Sequence, residues 1–187
     1  MTERLTSIAQ HFVRDGITRG ATVLDATMGN GYDTLFLAQC VGDDGQVLAL
    51  DRQTDAIRSS TARLTQAGLV QRVQLILGDH ATIEQDLPET CPPLAAVMLN
   101  LGYLPGGDKE ITTSTASTLH AIRFALAHLA PSGRMTCMAY RGHAGGVDEA
   151  AAVASLMQSL TDNQFIVTHK KAPANGPVLW MVERVVA

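Results

Sequence analysis

Val23-Leu24-Asp25-Ala26-Thr27-Met28-Gly29-Asn30-Gly31-Tyr32-Asp33-Thr34 decides how this chain folds. An apolar strand ends in an acid. A tight loop with two glycines, Gly29 and Gly31, follows. Leu35, Phe36, Leu37 and Ala38 then carry an amphipathic helix. Glycines reach backbone angles that other residues avoid and let a ligand approach the main chain. The first turn of the helix offers free N–H groups. Such a strand, loop and helix is how a parallel sheet holds a nucleotide-like ligand at its carboxyl edge.

Outward from that unit, strands and helices alternate. Glu3 to Asp15 carries Leu5, Ile8, Ala9, Phe12 and Val13 at helical spacing, and Gly16 stops it. Gln46 to Asp51 is a second strand that also ends in an acid. Thr54 to Ala67 is a helix stopped by Gly68. Val73 to Leu77 is a third strand, closed by Gly78-Asp79-His80, and a short helix begins near Ala81 or Thr82. Leu94 to Leu99 is almost wholly apolar, as expected of a central strand covered on both faces. A loop spans Asn100 to Lys109, and Ser114 or Thr115 caps a helix running to Leu129. Pro131-Ser132-Gly133 turns into a fifth strand, Arg134 to Ala139. A glycine-rich loop from Tyr140 to Gly146 leads to a helix ending near Leu160. Phe165 to His169 and Val178 to Val185 close the chain as a hairpin. Alternation requires right-handed crossovers and a mostly parallel sheet. The expected architecture is α/β and Rossmann-like: seven strands, helices on both faces and a C-terminal β-hairpin that makes the last strand antiparallel. One domain over residues 1–187 is expected.

Composition narrows the function classes. Hydrophobic residues make up 46% and charged residues 17%, the balance of a soluble globular protein. The first residues lack the basic and apolar blocks of a signal peptide, and no apolar run is long enough to cross a membrane. Cys40, Cys91 and Cys137 are widely spaced, as reduced thiols of a cytoplasmic protein would be. The six histidines show no metal spacing. A net charge of −4 argues against broad nucleic-acid binding but allows a local basic patch. A homodimer is compatible with the chain, which does not specify its oligomeric state.

The glycine loop discriminates between cofactors. A dinucleotide site reads GxGxxG, and here the third glycine is missing. An acid, Asp33, stands where a pyrophosphate would be repelled, and the GK[ST] of a P-loop is absent. A ligand with a positive centre and no phosphates fits better, and S-adenosylmethionine is such a ligand. On that reading Asp25 orients the loop and the methionine end. Asn30 and Asp33 bind the amino-acid part, with Gly29 and Gly31 shaping the loop. Asp51, at a strand tip, suits the ribose diol, and Gln53 reaches the ribose or adenine. Asp79 or the His80 backbone reads the adenine edge. Asp25 and Asp51 can equally cap helices or satisfy loop amides, and His80 can be an ordinary loop histidine. Acids at three successive strand ends carry the reading together.

Asn100-Leu101-Gly102-Tyr103 follows the fourth strand, beside the expected methyl group. Many amine methyltransferases have Asn/Asp-Pro-Pro-Tyr/Phe there, and this stretch resembles that pattern with both prolines replaced. Asn100 or a nearby carbonyl can accept an N–H from the attacking amine and aim its lone pair, and Tyr103 can pack on a planar base. Asn100 can also merely end the strand. Three blocks, Asp25 to Thr34, Asn100 to Lys109, and Tyr140 to Gly146 with Glu149, resemble the MnmM (YtqB-like) methyltransferases, formerly labelled rRNA methylases. The resemblance implies a class I fold using S-adenosylmethionine. It implies methylation of 5-aminomethyl-(2-thio)uridine at the tRNA wobble position to the 5-methylaminomethyl form. A small-molecule amine or hydroxyl methyltransferase, and a non-catalytic S-adenosylmethionine-binding protein, are the alternatives.

The catalytic candidates are Asn100, Tyr103 and His143, the last helping to take the amine proton or simply bonding backbone. Gly102, Asp108, Lys109, Tyr140, Arg141 and Lys170 are the substrate-binding candidates: Tyr140 and Arg141 line the base pocket with His143, Asp108 and Lys109 either pair to order the loop or bring Lys109 to a phosphate, and the implied partner is the tRNA anticodon stem-loop. The run His169-Lys170-Lys171 can touch the stem or only solvent. Arg141 stands where the family usually has proline, making that loop less rigid and more basic. Asn175-Gly176-Pro177 replaces the family's paired prolines near the last hairpin.

Overall fold

The computed structural model describes residues 3–87, 91–106, 112–160, 163–173 and 176–186. The strands are β1 (Thr22–Asp25), β2 (Gln46–Asp51), β3 (Val73–Leu77), β4 (Leu94–Asn100), β5 (Leu129–Ala139), β6 (Phe165–Lys171) and β7 (Val178–Arg184). They form one sheet in the order β3-β2-β1-β4-β5-β7-β6. β1, β2, β3, β4 and β5 pair in parallel, and β7 lies antiparallel between β5 and β6. The expected mostly parallel sheet with a closing hairpin is what the chain forms.

Among the described residues six α-helices flank the sheet: α1 (Leu5–Arg14), α2 (Tyr32–Val41), α3 (Thr54–Gln66), α4 (Ile83–Asp86), α5 (Thr115–His128) and α6 (Gly146–Ser159). Strand residues alternate between faces, so each strand feeds two cores. Leu24, Val97, Leu99 and Cys137 pack against Ile122 and Ala125 of α5 and Val153 and Met157 of α6. Val23, Ala96, Met98 and Met138 pack against Val13 of α1, Leu37 of α2 and Leu64 of α3. This double covering explains the unbroken apolar run of β4. Arg134 of β5 fastens α1 by donating to the Phe12 carbonyl at 2.9 Å and pairing with Asp15 at 3.1 Å. A cation among the last carbonyls of a helix also favours its dipole.

One strand starts earlier than its sequence indicates. Pro131-Ser132-Gly133 reads as a turn preceding the strand, yet β5 begins at Leu129. Leu129 pairs with Leu94, and Arg134 with Ala96, so the intervening residues bulge out of the ladder. Ser132 takes φ 59° there. A Cβ on Gly133 would lie 2.7 Å from the Ala130 carbonyl oxygen, so the bulge closes only on glycine.

Strand order reverses between β1 and β4, whose next connections run to opposite sides. A sheet of this kind binds ligands in the crevice outside its carboxyl ends at such a switch point. The β1–α2 loop and the chain after β4 both leave from this place.

Candidate active site

A cavity of about 820 Å³ opens at that edge. It is lined by the glycine loop, the ends of β2 and β3, and the chains leaving β4 and β5. The size suits a nucleoside-sized ligand with room for an acceptor.

The glycine loop is held from behind. Asp25 is fully buried, and its carboxylate accepts the Thr34 hydroxyl at 2.6 Å and the Thr27 N–H at 3.3 Å. Burial, reinforced by the nearby Asp33 charge, pushes the Asp25 carboxyl up to about 7. Asp25 does not line the cavity, so expecting it to touch the methionine end needs correction. Its side chain folds back under the loop because Thr34, one turn into α2, offers the nearest donor. It orients the loop from beneath, as the other half of that reading held.

The two glycines divide the work. Gly29 lines the cavity with φ 52°. Gly31, with φ 75°, starts α2 and turns to α3 instead: a Cβ there would stand 2.5 Å from Ser60 Oγ. Gly31 is thus a packing residue, not a cavity residue. α3 completes the hold, with Ser60 Oγ donating to the Gly29 carbonyl at 3.1 Å and Arg63 Nε to the Asn30 carbonyl at 2.8 Å.

The remaining acids face the cavity. Asp51 accepts the Gly29 N–H on Oδ2 and the Gln53 N–H on Oδ1, each at 2.9 Å. An ionised carboxylate has about four lone-pair sites, so both oxygens retain capacity for a diol. Gln53 and Asp79 line the same end. Asp79 caps the short 3-10 turn His80–Thr82 by accepting the Ala81 N–H at 2.9 Å. His80 is buried, 3.1 Å from Ser117 Oγ of α5, and burial pushes its imidazole pKa down. Its side chain therefore belongs to the packing against α5, although the residue borders the cavity.

At the centre stands a three-residue array. Asp33 accepts the Gln10 amide of α1 at 2.8 Å and the Asn100 amide at 2.6 Å. The Asn100 backbone N–H donates to Thr27 Oγ1 at 2.6 Å, tying the end of β4 to the glycine loop. A carboxylate can only accept, so Asn100 must turn its NH2 to Asp33. That leaves Asn100 Oδ1 as the amide's acceptor at the cavity wall.

The chain after Asn100 forms the far wall. Gly102 adopts φ 131° and exchanges bonds with Thr113: its N–H donates to Thr113 Oγ1, and its carbonyl accepts the Thr113 N–H, both at 3.0 Å. Tyr103 bridges antiparallel to Thr112. Leu104 is buried against the glycine loop, and Asn30 donates its amide to the Pro105 carbonyl at 3.0 Å. Asn30 therefore joins the two loops with one amide N–H while lining the cavity.

Tyr140 lines the cavity half-exposed, and burial, helped by the Asp33 charge, pushes its phenol pKa up. His143 also lines the cavity, but its Nδ1 lies 3.1 Å from the Ala144 carbonyl and its Nε2 is buried 3.6 Å from Glu149 Oε2. Neither ring nitrogen is presented for taking a proton from a ligand, because Nδ1 faces the Ala144 carbonyl and Nε2 is buried. Arg141 and Lys170 are exposed and outside the cavity. Asp108 and Lys109 lie outside the described residues. Among the described residues no group of His, Cys, Asp and Glu could hold a metal ion, and no helix is long and apolar enough to cross a membrane.

The structure adds residues that the sequence reading left without a role: Thr6 and Gln10 of α1, Thr27, Thr113 and Glu149. Gln10 is polar on a helix otherwise read for its apolar stripe, which is the signal available in sequence. Glu149, quoted beside Tyr140 to Gly146, had a place but no task.

Comparisons with known proteins agree with this geometry. The family model described as "Putative rRNA methylase" matches residues 47–182. A second model, protein-L-isoaspartate(D-aspartate) O-methyltransferase, matches residues 3–88, the half that carries the glycine loop. The chain is 37% identical over 172 residues to a chloroplastic tRNA (mnm(5)s(2)U34)-methyltransferase of Arabidopsis thaliana, covering 88% of this chain. It spans 62% of that relative's length. A crystal structure described as an rRNA-methylase from Clostridium thermocellum superposes with a TM-score of 0.92 at 33% identity, covering 99% of this chain and 100% of the other. A protein from Streptococcus mutans described as "a putative methyltransferase", solved in complex with SAH, superposes with a TM-score of 0.87 at 32% identity, again over 99% and 100% of the chains. The chain belongs to the "Putative rRNA methylase" family and is an S-adenosylmethionine-dependent methyltransferase.

Proposed function

We propose that the chain methylates an amine, the aminomethyl group of a wobble 5-aminomethyl-(2-thio)uridine in tRNA, to the methylaminomethyl form. The observation that carries this reading is the clamp of Asn100 by Asp33, which leaves Oδ1 as an acceptor beside the glycine loop. An amine has an N–H to give to that oxygen while its lone pair stays available. The Arabidopsis relative, named for the same uridine, supports the choice of acceptor.

The residues fit S-adenosylmethionine. On this reading Asp51 would hold the ribose hydroxyls, Gln53 and Asp79 the base end, and Asp33 with the Gly29 backbone the amino-acid end; all five line the cavity. When bound, the cofactor supplies an electrophilic methyl on a sulfonium centre. Asn100 Oδ1 orients the neutral acceptor amine, and the proton displaced from nitrogen leaves to solvent. Tyr103 and Tyr140 provide ring faces for the pyrimidine. Alignment of this kind contributes roughly 7–11 kcal/mol to bringing two reactants together. β6 runs in the direction of β5, because both are antiparallel to β7, so Lys170 reaches the same sheet edge as Arg141. On this reading both cations meet stem phosphates.

Mass spectrometry of tRNA nucleosides tests the proposal. A strain lacking this protein and any redundant enzyme should accumulate the aminomethyl nucleoside and lose its methylated form. Unchanged methylaminomethyl-uridine refutes it. The net charge of −4 favours one second reading, a small free amine as acceptor. Turnover on such an amine, with none on aminomethyl-tRNA, would select that reading.

A further inference from the structure

Glu149 lies in the first turn of α6, behind the far wall of the cavity. Its side chain is 2% exposed. Oε1 accepts the Thr118 hydroxyl of α5 at 2.7 Å, and Oε2 accepts the Thr113 hydroxyl at 2.8 Å. Thr113 Oγ1 in turn accepts the Gly102 N–H at 3.0 Å. Since a carboxylate only accepts, the Thr113 proton must point at Glu149 and its lone pairs at Gly102. The direction of this chain is set by the buried charge.

A second contact converges on the same oxygen. His143 Nε2 is 3.6 Å from Glu149 Oε2, buried and without a hydrogen-bond partner. The His143 ring backs the loop, since a Cβ on Gly102 would lie 3.6 Å from its Cδ2. One carboxylate therefore holds, through Thr113, the backbone two residues after Asn100, and the ring against which that backbone rests lies beside it. A carboxylate taken out of water is costly unless it is well bonded, and here the hydroxyls of Thr113 and Thr118 compensate it.

We infer that Glu149 is a positioning residue for methyl transfer: through Thr113 it sets where the chain from Asn100 to Gly102 places the substrate nitrogen. The inference rests on the amine-acceptor reading above. Glu149 itself does not line the cavity.

The test uses the full chain with Glu149→Gln, Thr113→Val and Thr113→Ser. Three quantities are read: hydrogen exchange at the Gly102 amide in the SAH complex, SAH affinity by calorimetry, and kcat and KM on aminomethyl-tRNA. In Glu149→Gln and Thr113→Val, Gly102 should exchange faster and kcat should fall roughly 10²-fold, the cost of a misplacement near 1 Å. SAH affinity should stay within about three-fold, because the cofactor contacts lie on the other loop. Thr113→Ser, which keeps the hydroxyl, should recover most of the kcat lost in Thr113→Val. Unchanged Gly102 exchange in Glu149→Gln overturns the inference. So does a loss of SAH binding in step with kcat in both damaging variants, which marks a purely structural residue. If the wild-type protein has no activity on aminomethyl-tRNA, the substrate reading fails, and Gly102 exchange alone decides the role of Glu149.

Discussion

Asp25 should make the ligand-free protein less stable as pH rises from 4 to 7, the reverse of an ordinary ion-paired carboxylate. In the unfolded chain its pKa is the usual 3.8, and in the fold it is raised to about 7 by full burial and the Asp33 charge. Below the lower value both states hold the proton, and Asp25 contributes no pH dependence. Between the two values the unfolded chain has ionised while the folded chain has not. The folded state then binds more protons, so stability falls with pH, by about 1.4 kcal/mol per pH unit. Above 7 both states are ionised and the full penalty, on the order of 4 kcal/mol, stays constant. Asp25→Asn removes this titration and keeps the shape. Urea unfolding of both proteins between pH 4.5 and 8 should show the variant gaining on the wild type up to pH 7 and then levelling. A stability difference independent of pH across that range refutes the reasoning. Cofactor binding adds a second signature. A cationic amino-acid end next to Asp33 offsets the repulsion that helps keep Asp25 protonated. SAH binding near pH 7 should therefore release protons, seen as a binding enthalpy that depends on the buffer.

Asn100→Ala removes the oriented acceptor and should lower kcat on aminomethyl-tRNA about 10²-fold; SAH affinity should change little, and equal kcat would remove Asn100 from the reaction. Asp51→Ala should weaken SAH about 10- to 100-fold in calorimetry, matching the ~1.5–3 kcal/mol of a hydrogen bond to a charged group. It should also lower the melting temperature slightly, because the Gly29 and Gln53 amides lose their acceptor. Gly31→Ala forces a Cβ to 2.5 Å from Ser60 Oγ at φ 75° and should destabilise by about 1–3 kcal/mol in denaturant unfolding. In a Ser60→Gly background the steric part should disappear and the backbone part persist.

Much of the site was legible before the fold. The glycine loop, the acids at strand ends and the block after β4 are local patterns, each specified within about ten residues by strand periodicity and turn chemistry. Gly29, Asp33, Asp51, Gln53, Asp79, Asn100 and Tyr103 all border the cavity they were read into. Asp25 and Gly31 were placed on the right loop but given the wrong neighbours. Sequence spacing says which face a strand-end residue leaves from, not whether Thr34 or Ser60 waits there. His143 shows the same limit: its type invites a role as base, and only the fold reveals that Nε2 is buried and that Nδ1 faces the Ala144 carbonyl.

The sequence by itself determined the alternation of strands and helices, the exclusion of dinucleotide and P-loop ligands, and the resemblance that implied the methyl donor. These depend on residue types and short spacings. Only the tertiary structure decided how Gln10, Asp33 and Asn100 share one carboxylate, and how Glu149 reaches Gly102 through Thr113. Those contacts join residues 23 to 67 positions apart in the first array and 11 to 36 apart in the second. A hydrogen bond depends on distances of a few tenths of an ångström, and packing across two helical layers sets them. The stretch from Val23 to Thr34 announced a cofactor loop; its partners on α1, α3 and β4 make that loop one wall of an active site.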